Sequence, residues 1–266
     1  MHPIVNIAVT AARSAGKIIL RAQDQMENLH VVEKGVNDFA SQVDRAAEEI
    51  IIETIKKAYP QHAILGEESG LTPGNGSGAD VTWIIDPLDG TTNFIHGFPQ
   101  FCISIGVKQG DKIYHGVVYD PVRDELFSAS RGEGARMNGK RLRVSNAEKL
   151  QKSLLGTGFP FRDFTYLDDY LTFLRAIIPH CAGIRRAGAA ALDLAYVAAG
   201  RLDGFWEFGL KPWDIAAGAL FIQEAGGYVS TIDGSPDVLN GKSILAAPPK
   251  VYQEMMELCK KFFQKK

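Results

Sequence analysis

Cysteine is scarce: Cys102, Cys181 and Cys259 are the only three in 266 residues, and no two form a CxxC pair. That spacing argues against a disulfide framework and against a zinc ribbon, so reduced and mostly buried thiols are expected. Six histidines occur without an HExxH pair, and His96 and His115 therefore read as surface or core residues. An excess of one charge is also missing. Against 31 acidic residues stand 29 basic ones, a net charge of −2, which gives no electrostatic footprint for nucleic acid or an anionic membrane. No uninterrupted apolar run of the roughly 18 residues needed to span a bilayer is present. Asn6 and Arg13 break the N-terminal segment, which lacks the basic start of a secretion signal. A soluble, cytoplasmic protein with no membrane partner is the expectation. Nucleotide loops are missing too. The glycines of 70–78 do not fit GxGxxG, and Pro236 takes the first glycine position of a P-loop that would end at Gly241-Lys242-Ser243. Ser14 and Lys17 match SxxK, but mid-helix and without its companion motifs.

What the chain has is core material, 45% hydrophobic with 23% charged residues. That suits one domain with two closely joined halves, 1–150 and 151–266. Residues 4–26 carry Ile4, Ala8, Ala11, Ala15, Ile18, Ile19, Ala22 and Met26 at helical spacing. A second helix with Val43, Ala47, Ile50, Ile51, Ile55 and Ala58 inward ends before Pro60. Strands are expected at 63–65, 81–85, 101–108, 112–119 and 125–130, with an Asn138-Gly139 hairpin joining 134–137 to 140–144. GLTPGNGSG at 70–78 reads as a mobile loop. The second half alternates strands near 153–157, 181–185, 203–208, 228–232 and 243–246 with helices near 166–178, 189–199 and 213–225. A terminal helix carries Val251, Met255, Leu258 and Phe262. Mixed elements without a strict βαβ period point to a layered α+β or α/β sandwich.

Carboxylates are the chemical signal. Glu67 follows one strand, Asp86 ends the next, and Asp89 lies three residues on. Such positions suit a cleft rim better than a core. Pro87 pins the turn, letting Asp86 and Asp89 converge with the Leu88 carbonyl pointing inward. Hard oxygen donors with no His or Cys beside them favour Mg²⁺ over Zn²⁺. Gly90-Thr91-Thr92-Asn93 adds backbone and hydroxyl donors for an anion. Each piece has a plainer reading, Asp89-Gly90 as a turn and Asp214, after Pro212-Trp213, as a helix cap. Together, ligands beside an anion cradle suggest phosphate chemistry. Trp83 and Trp213 read as packing residues that fix the ligand backbone.

The run WIIDPLDGTTNFIHGFP at 83–99 resembles the first signature of the inositol monophosphatase family, and PWDIAAGALFIQEAGG at 212–227 its second. GEES at 66–69 and KGVNDFASQVD at 34–44 are similar to two further family blocks, all four in the family's order. GTGFPF at 156–161 and RRAGAAALDLAYVAAGRLDGF at 185–205 resemble the bacterial SuhB-type branch. The resemblance implies an αβαβα sugar-phosphatase fold and Mg²⁺-dependent hydrolysis of inositol-1-phosphate or a similar polyol phosphate, inhibited by lithium. Fructose-1,6-bisphosphate and nucleotide 3′-phosphates are alternatives it leaves open. It implies one ion held by Glu67, Asp86 and the Leu88 carbonyl, and a second by Asp86, Asp89 and Asp214. Gly90 and Thr91 would bind phosphate, with Asp89 and Asp214 beside them. Thr91 would pair with Asp44 to orient the attacking water, with Lys34 near the metals. Glu207 would meet a ring hydroxyl, and Ala190 would line the sugar pocket. A homodimer is implied, as are partners in transcription antitermination associated with RNA polymerase. Arg185-Arg186 is the expected contact edge for a subunit or partner.

Overall fold

The computed structural model of the protein describes residues 2–26, 33–160, 163–241 and 243–263. Two long helices open the chain, α1 (Pro3–Met26) and α2 (Glu33–Ala58). The buried side is built from Val5, Ala8, Ala11, Ala12, Ala15, Ile19 and Ala22 of α1 with Ala40, Val43, Ala47, Ile51 and Ile55 of α2. This face is rotated from the expected one: Ile4, Ile18 and Ile50 are only partly covered and Ala58 is exposed. Alanines on the seam let the helices approach closely, which turns the larger isoleucines toward its edges. By length and mean hydropathy alone α1 could cross a bilayer. It packs instead against α2 and a sheet, as a core helix does.

The sheet beneath these helices runs β1 (Ala63–Gly66), β2 (Gly70–Thr72), β3 (Val81–Asp89), β4 (Cys102–Gln109), β5 (Lys112–Asp120), β6 (Glu125–Ser130), β7 (Gly134–Met137) and β8 (Lys140–Arg141), with the short helix α3 (Thr91–Ile95) after β3. Its order is β2-β1-β3-β4-β5-β6-β7-β8. Only β1 and β3 pair in parallel. The expected loop at 70–78 is corrected here. Gly70–Thr72 folds back on β1 as an edge strand, and Gly76–Gly78 forms a 3₁₀ turn. The pairing is with Ile64–Gly66, so backbone hydrogen bonds outweigh the local glycine content. β3 also outlasts expectation, continuing to Asp89 with a register irregularity between Asp86 and Asp89. That break is where Pro87, which has no N–H, can sit inside a strand. Asn138 (φ 46) and Gly139 (φ 80) make the expected tight hairpin, but its second strand stops at Arg141. His115 is buried, its ring 3.0 Å from the Ser130 hydroxyl, and His96 is exposed.

The second half adds β9 (Leu154–Thr157), α4 (Leu167–Ile177), β10 (Gly183–Arg185), α5 (Ala190–Ala198), β11 (Gly204–Phe208), α6 (Pro212–Glu224), β12 (Tyr228–Ser230), β13 (Ser243–Ala247) and α7 (Pro249–Phe263). A five-stranded sheet results, in the order β10-β9-β11-β13-β12. Helices α5 and α6 lie between the two sheets and are buried almost all round, which explains their alanine content. α4 and α7 cover the far face of the second sheet through Phe173, Ile177, Val251 and Met255. Phe262 of α7 stays outside, exposed. The layers therefore run helix, sheet, helix, sheet, helix, the expected αβαβα sandwich. The starts of α5 and α6 both arrive at the C-terminal end of β3, as the Ala191 and Trp213 contacts to Asp89 and Ser104 show.

Candidate active site

Three loops and two helix starts converge there. The Gly66–Ser69 turn is held by Glu48, buried on α2, whose carboxylate accepts the N–H groups of Glu68 (3.0 Å) and Ser69 (2.8 Å). That grip leaves Glu67 on the cleft wall. On β3, Asp86 Oδ1 accepts the Leu88 N–H at 3.0 Å across Pro87, a local turn that fixes the carboxylate's direction. Asp89 Oδ2 accepts the Ala191 N–H at the start of α5 (2.7 Å) and lies 3.7 Å from the Cys102 thiol. Asp214 Oδ2 accepts the Lys211 N–H at 2.6 Å, closing the first turn of α6. One oxygen from each of Asp86, Asp89 and Asp214 lies within 4.8 Å of the others.

Gly90 must be glycine. Its φ of 95° is left-handed, and a Cβ there would stand 2.8 Å from the Gln100 carbonyl oxygen. The turn it makes places the Thr91 hydroxyl 3.1 Å from the Leu88 carbonyl and 3.4 Å from Asp44 Oδ2. Asp44 sits behind Thr91, buried, with its Oδ1 lacking a hydrogen-bond partner among the described residues.

Electrostatics mark the same spot. Burial, then Glu67, Asp89 and Asp214, raise Asp86 well above the usual carboxylate range. Burial and Asp214 push Asp89 up to about 8, and burial with Glu67 and Glu68 does the same for Asp44. Burial, followed by Asp214 and Asp193, raises Glu207. A group of buried carboxylates that destabilise one another's ionised form fits hard divalent cations. So do the all-oxygen donor set and the orphaned Asp44 oxygen. Asp86, Asp89 and Asp214 could hold such an ion, and Glu67 and the Leu88 carbonyl line the same cleft.

The cleft encloses about 580 Å³, ample for a small phosphate ester. Of the residues singled out in the sequence, Glu67, Asp86, Leu88, Asp89, Gly90, Thr91, Ala190, Glu207 and Asp214 all line it, while Asp44 stands one layer behind. Glu67 is outside the tight group of three. Lys34 falls within α2, but its side chain is not among the described residues. Arg186 was expected on a partner-facing edge. It is also a cleft residue, exposed on one side and with its guanidinium 5.6 Å from the Phe159 ring. The reason is that the loop from β10 to α5 turns back over β3. Trp213 is likewise part of the cleft wall rather than pure packing. Glu48, Cys102, Lys211 and the buried Asp193 escaped the sequence reading. Glu48 had a signal, four residues from Asp44 and so on the same face of α2.

A sheet-helix-sheet sandwich with an acidic cleft at the central helix starts defines a sugar-phosphatase-like architecture, and the chain belongs to the inositol monophosphatase family, whose profile matches residues 1–264. It is 55% identical over 258 residues to the protein named Nus factor SuhB of Pseudomonas aeruginosa, covering 96% of this chain and 95% of that one. Its fold is similar to the extragenic suppressor protein suhB of Bartonella henselae, with a TM-score of 0.89, 42% identity and coverage of 98% and 99%. It is also similar to SaIMPase-II, solved with inositol monophosphate (TM-score 0.79, 32% identity, coverage of 96% and 93%) and with 2′AMP (TM-score 0.80, 32%, coverage of 96% and 94%).

Proposed function

We propose that this protein hydrolyses small polyol phosphate monoesters in the cytoplasm with Mg²⁺ as cofactor, inositol-1-phosphate being the leading substrate. The convergence of the Asp86, Asp89 and Asp214 oxygens within 4.8 Å, beside the Gly90–Thr91 turn, carries the reading. Bound Mg²⁺ would supply charge neutralisation for the phosphate oxygens and acidify a water. The chain's own part is positional. Gly90 and the start of α3 present backbone N–H groups to the phosphate. Thr91 and Asp44 form a hydroxyl–carboxylate pair able to orient the attacking water and receive its proton. Glu207 and Ala190 face the alcohol portion. Inositol monophosphate in SaIMPase-II, which shares this fold, supports a polyol in that place.

A nucleoside monophosphate is the second reading. Phe159 at the cleft mouth, 46% exposed, with Arg186 over its ring offers a flat platform for a base. The 2′AMP complex of SaIMPase-II is in keeping with it.

The relatives' name, Nus factor, adds a transcription-associated partner to the proposal, and the family resemblance adds a homodimer. Because Arg186 belongs to the cleft, Arg185→Glu alone is the clean probe of a contact edge, read by sedimentation and pull-down with phosphatase activity as control.

The enzymatic reading is tested with purified protein, Mg²⁺ and a panel of inositol-1-phosphate, fructose-1,6-bisphosphate, 2′-AMP and an aryl phosphate. Asp86→Asn, Asp89→Asn and Asp214→Asn are each expected to lose more than the about 10–100-fold typical of residues one layer out. Near-normal turnover by any of the three at saturating Mg²⁺ defeats the metal assignment.

A further inference from the structure

Asn93 lies on α3, four residues beyond Asp89, and touches neither the acidic group nor the cleft. Its side-chain amide nevertheless spends both hydrogens on backbone. Nδ2 donates to the Gln100 carbonyl (2.7 Å), at the entrance to β4, and to the Ala187 carbonyl (2.9 Å), in the loop from β10 to α5. The first acceptor belongs to the eight-stranded sheet and the second to the half of the chain that builds the cleft's other wall. One side chain therefore pins the phosphate turn to the segment Ala187–Ala190.

Ala189 and Ala190 are buried in the core between the sheets, and the chain turns into them at Gly188. Gly188 sits at φ 92°, where a Cβ would come within 3.1 Å of Asn93 Nδ2 and 2.5 Å of an Arg186 guanidinium nitrogen. The backbone therefore runs close beside the amide at a position that carries no side chain. α5 begins at Ala190 after Ala189, which has no side-chain cap to offer. Its first free donors turn to the other half instead: the Ala191 N–H reaches Asp89 Oδ2 at 2.7 Å, and the Ala190 N–H also serves that carboxylate. The orientation of Asp89 consequently depends on where α5 starts, and that start depends on the loop Asn93 holds.

We infer that Asn93 is a positioning residue that locks the α5 start onto Asp89, and so sets the distance between the phosphate end of the cleft and the wall around Ala190 that receives the alcohol. Two hydrogen bonds with well-aligned acceptors fix position better than one, and no other natural side chain of this length donates twice to carbonyls. Asp at the same place presents oxygens to both carbonyls, and Ala leaves both unpaired.

The kinetic half of this inference rests on the polyol-phosphatase reading; the structural half does not, and the experiment separates them. Asn93→Ala and Asn93→Asp are compared with the full-length wild type, with Gly188→Ala as a variant that crowds the same amide from the opposite side. Amide hydrogen exchange is followed over residues 187–194. Exchange about ten-fold or more faster there, with α1 and α6 unchanged, is the expected result for every variant that folds. Unchanged exchange overturns the inference whatever the substrate. In turnover, kcat should fall by a similar factor on inositol-1-phosphate and on an aryl phosphate, because both use Asp89. KM should rise about 10-fold or more on the polyol substrate alone. Loosened exchange with KM unaltered on both substrates reduces Asn93 to general packing and also overturns it. A wild type that turns over neither substrate defeats the function proposed above and leaves the exchange result to decide.

Discussion

Asp86 and Asp89 show how far single residues carried the reading. Their spacing, the proline between them and the glycine after them pointed to a turn with two inward carboxylates, and Oδ1 of Asp86 does fold back on Leu88 N–H at 3.0 Å. Asp214 was a helix cap by local logic and is one, closing on Lys211 N–H at 2.6 Å. One of its oxygens comes within 4.8 Å of oxygens of Asp86 and Asp89 only because α6 enters from the other half, a fact no local pattern holds. Arg186 shows the same effect in reverse: the pair Arg185-Arg186 looks like surface charge alone until the loop before α5 is seen to bring Arg186 to the cleft as well. Glu207 is the residue on which substrate choice should turn. Its carboxylate packs so closely on the Gly158 backbone that a Cβ on Gly158 would fall within 2.2 Å of both its oxygens. It is therefore held in place at the cleft wall. Glu207→Ala is expected to weaken inositol-1-phosphate turnover by a factor set by one lost buried hydrogen bond, about 10–100-fold, and aryl phosphate turnover far less. Comparison of kcat/KM on the two substrates checks this, and equal losses would make Glu207 structural.

At the scale of elements, the apolar patterns located most strands and helices. β4, β5, α5 and α6 stand where their apolar patterns put them, give or take a residue at the ends, and α2 ends where expected although its buried face is turned. The turn at 70–78 was misread because its order comes from pairing with β1, not from its own residues. The Gly66–Ser69 turn is a similar case, short, polar and without a periodic signal. Glu48 gives it shape by accepting two adjacent N–H groups from the α2 side. Glu48→Gln keeps the size but offers one acceptor and a donor, so one N–H is left opposed. The expected cost is about 1–3 kcal/mol, or roughly 2–4 °C in Tm for each kcal/mol in a chain of this size. Because Glu67 rides on that turn, Mg²⁺ affinity should also weaken, by about 10-fold or more in a calorimetric titration. A lower Tm with unaltered Mg²⁺ binding would separate Glu67 from the ion.

For the whole molecule, folding assembles a group of carboxyls that water alone would keep apart. Asp44 and Asp89 titrate near 8 in the folded chain, against 3.8 for an ordinary aspartate, chiefly because both are buried beside other carboxylates. The folded protein therefore binds more protons than the unfolded one between those values. Stability from these groups is full below the unfolded pKa and is lost as pH rises through the folded one. In EDTA, Tm should decline from pH 6 to pH 8.5. Mg²⁺ must displace the same protons, so it binds more tightly as pH rises and restores what deprotonation removes. At a hundredfold excess over Kd it should add about 2.7 kcal/mol, or roughly 5–10 °C. The two melting curves are thus expected to diverge with pH, the Mg²⁺ curve nearly flat and the EDTA curve falling. Asp89→Asn should shrink the gap, since a neutral amide has no proton to release and no charge to offer the ion. Parallel curves in EDTA and Mg²⁺ would mean that the carboxyls do not gather around a cation, and the fold would then have to hold its acidic cleft for something other than metal-assisted hydrolysis.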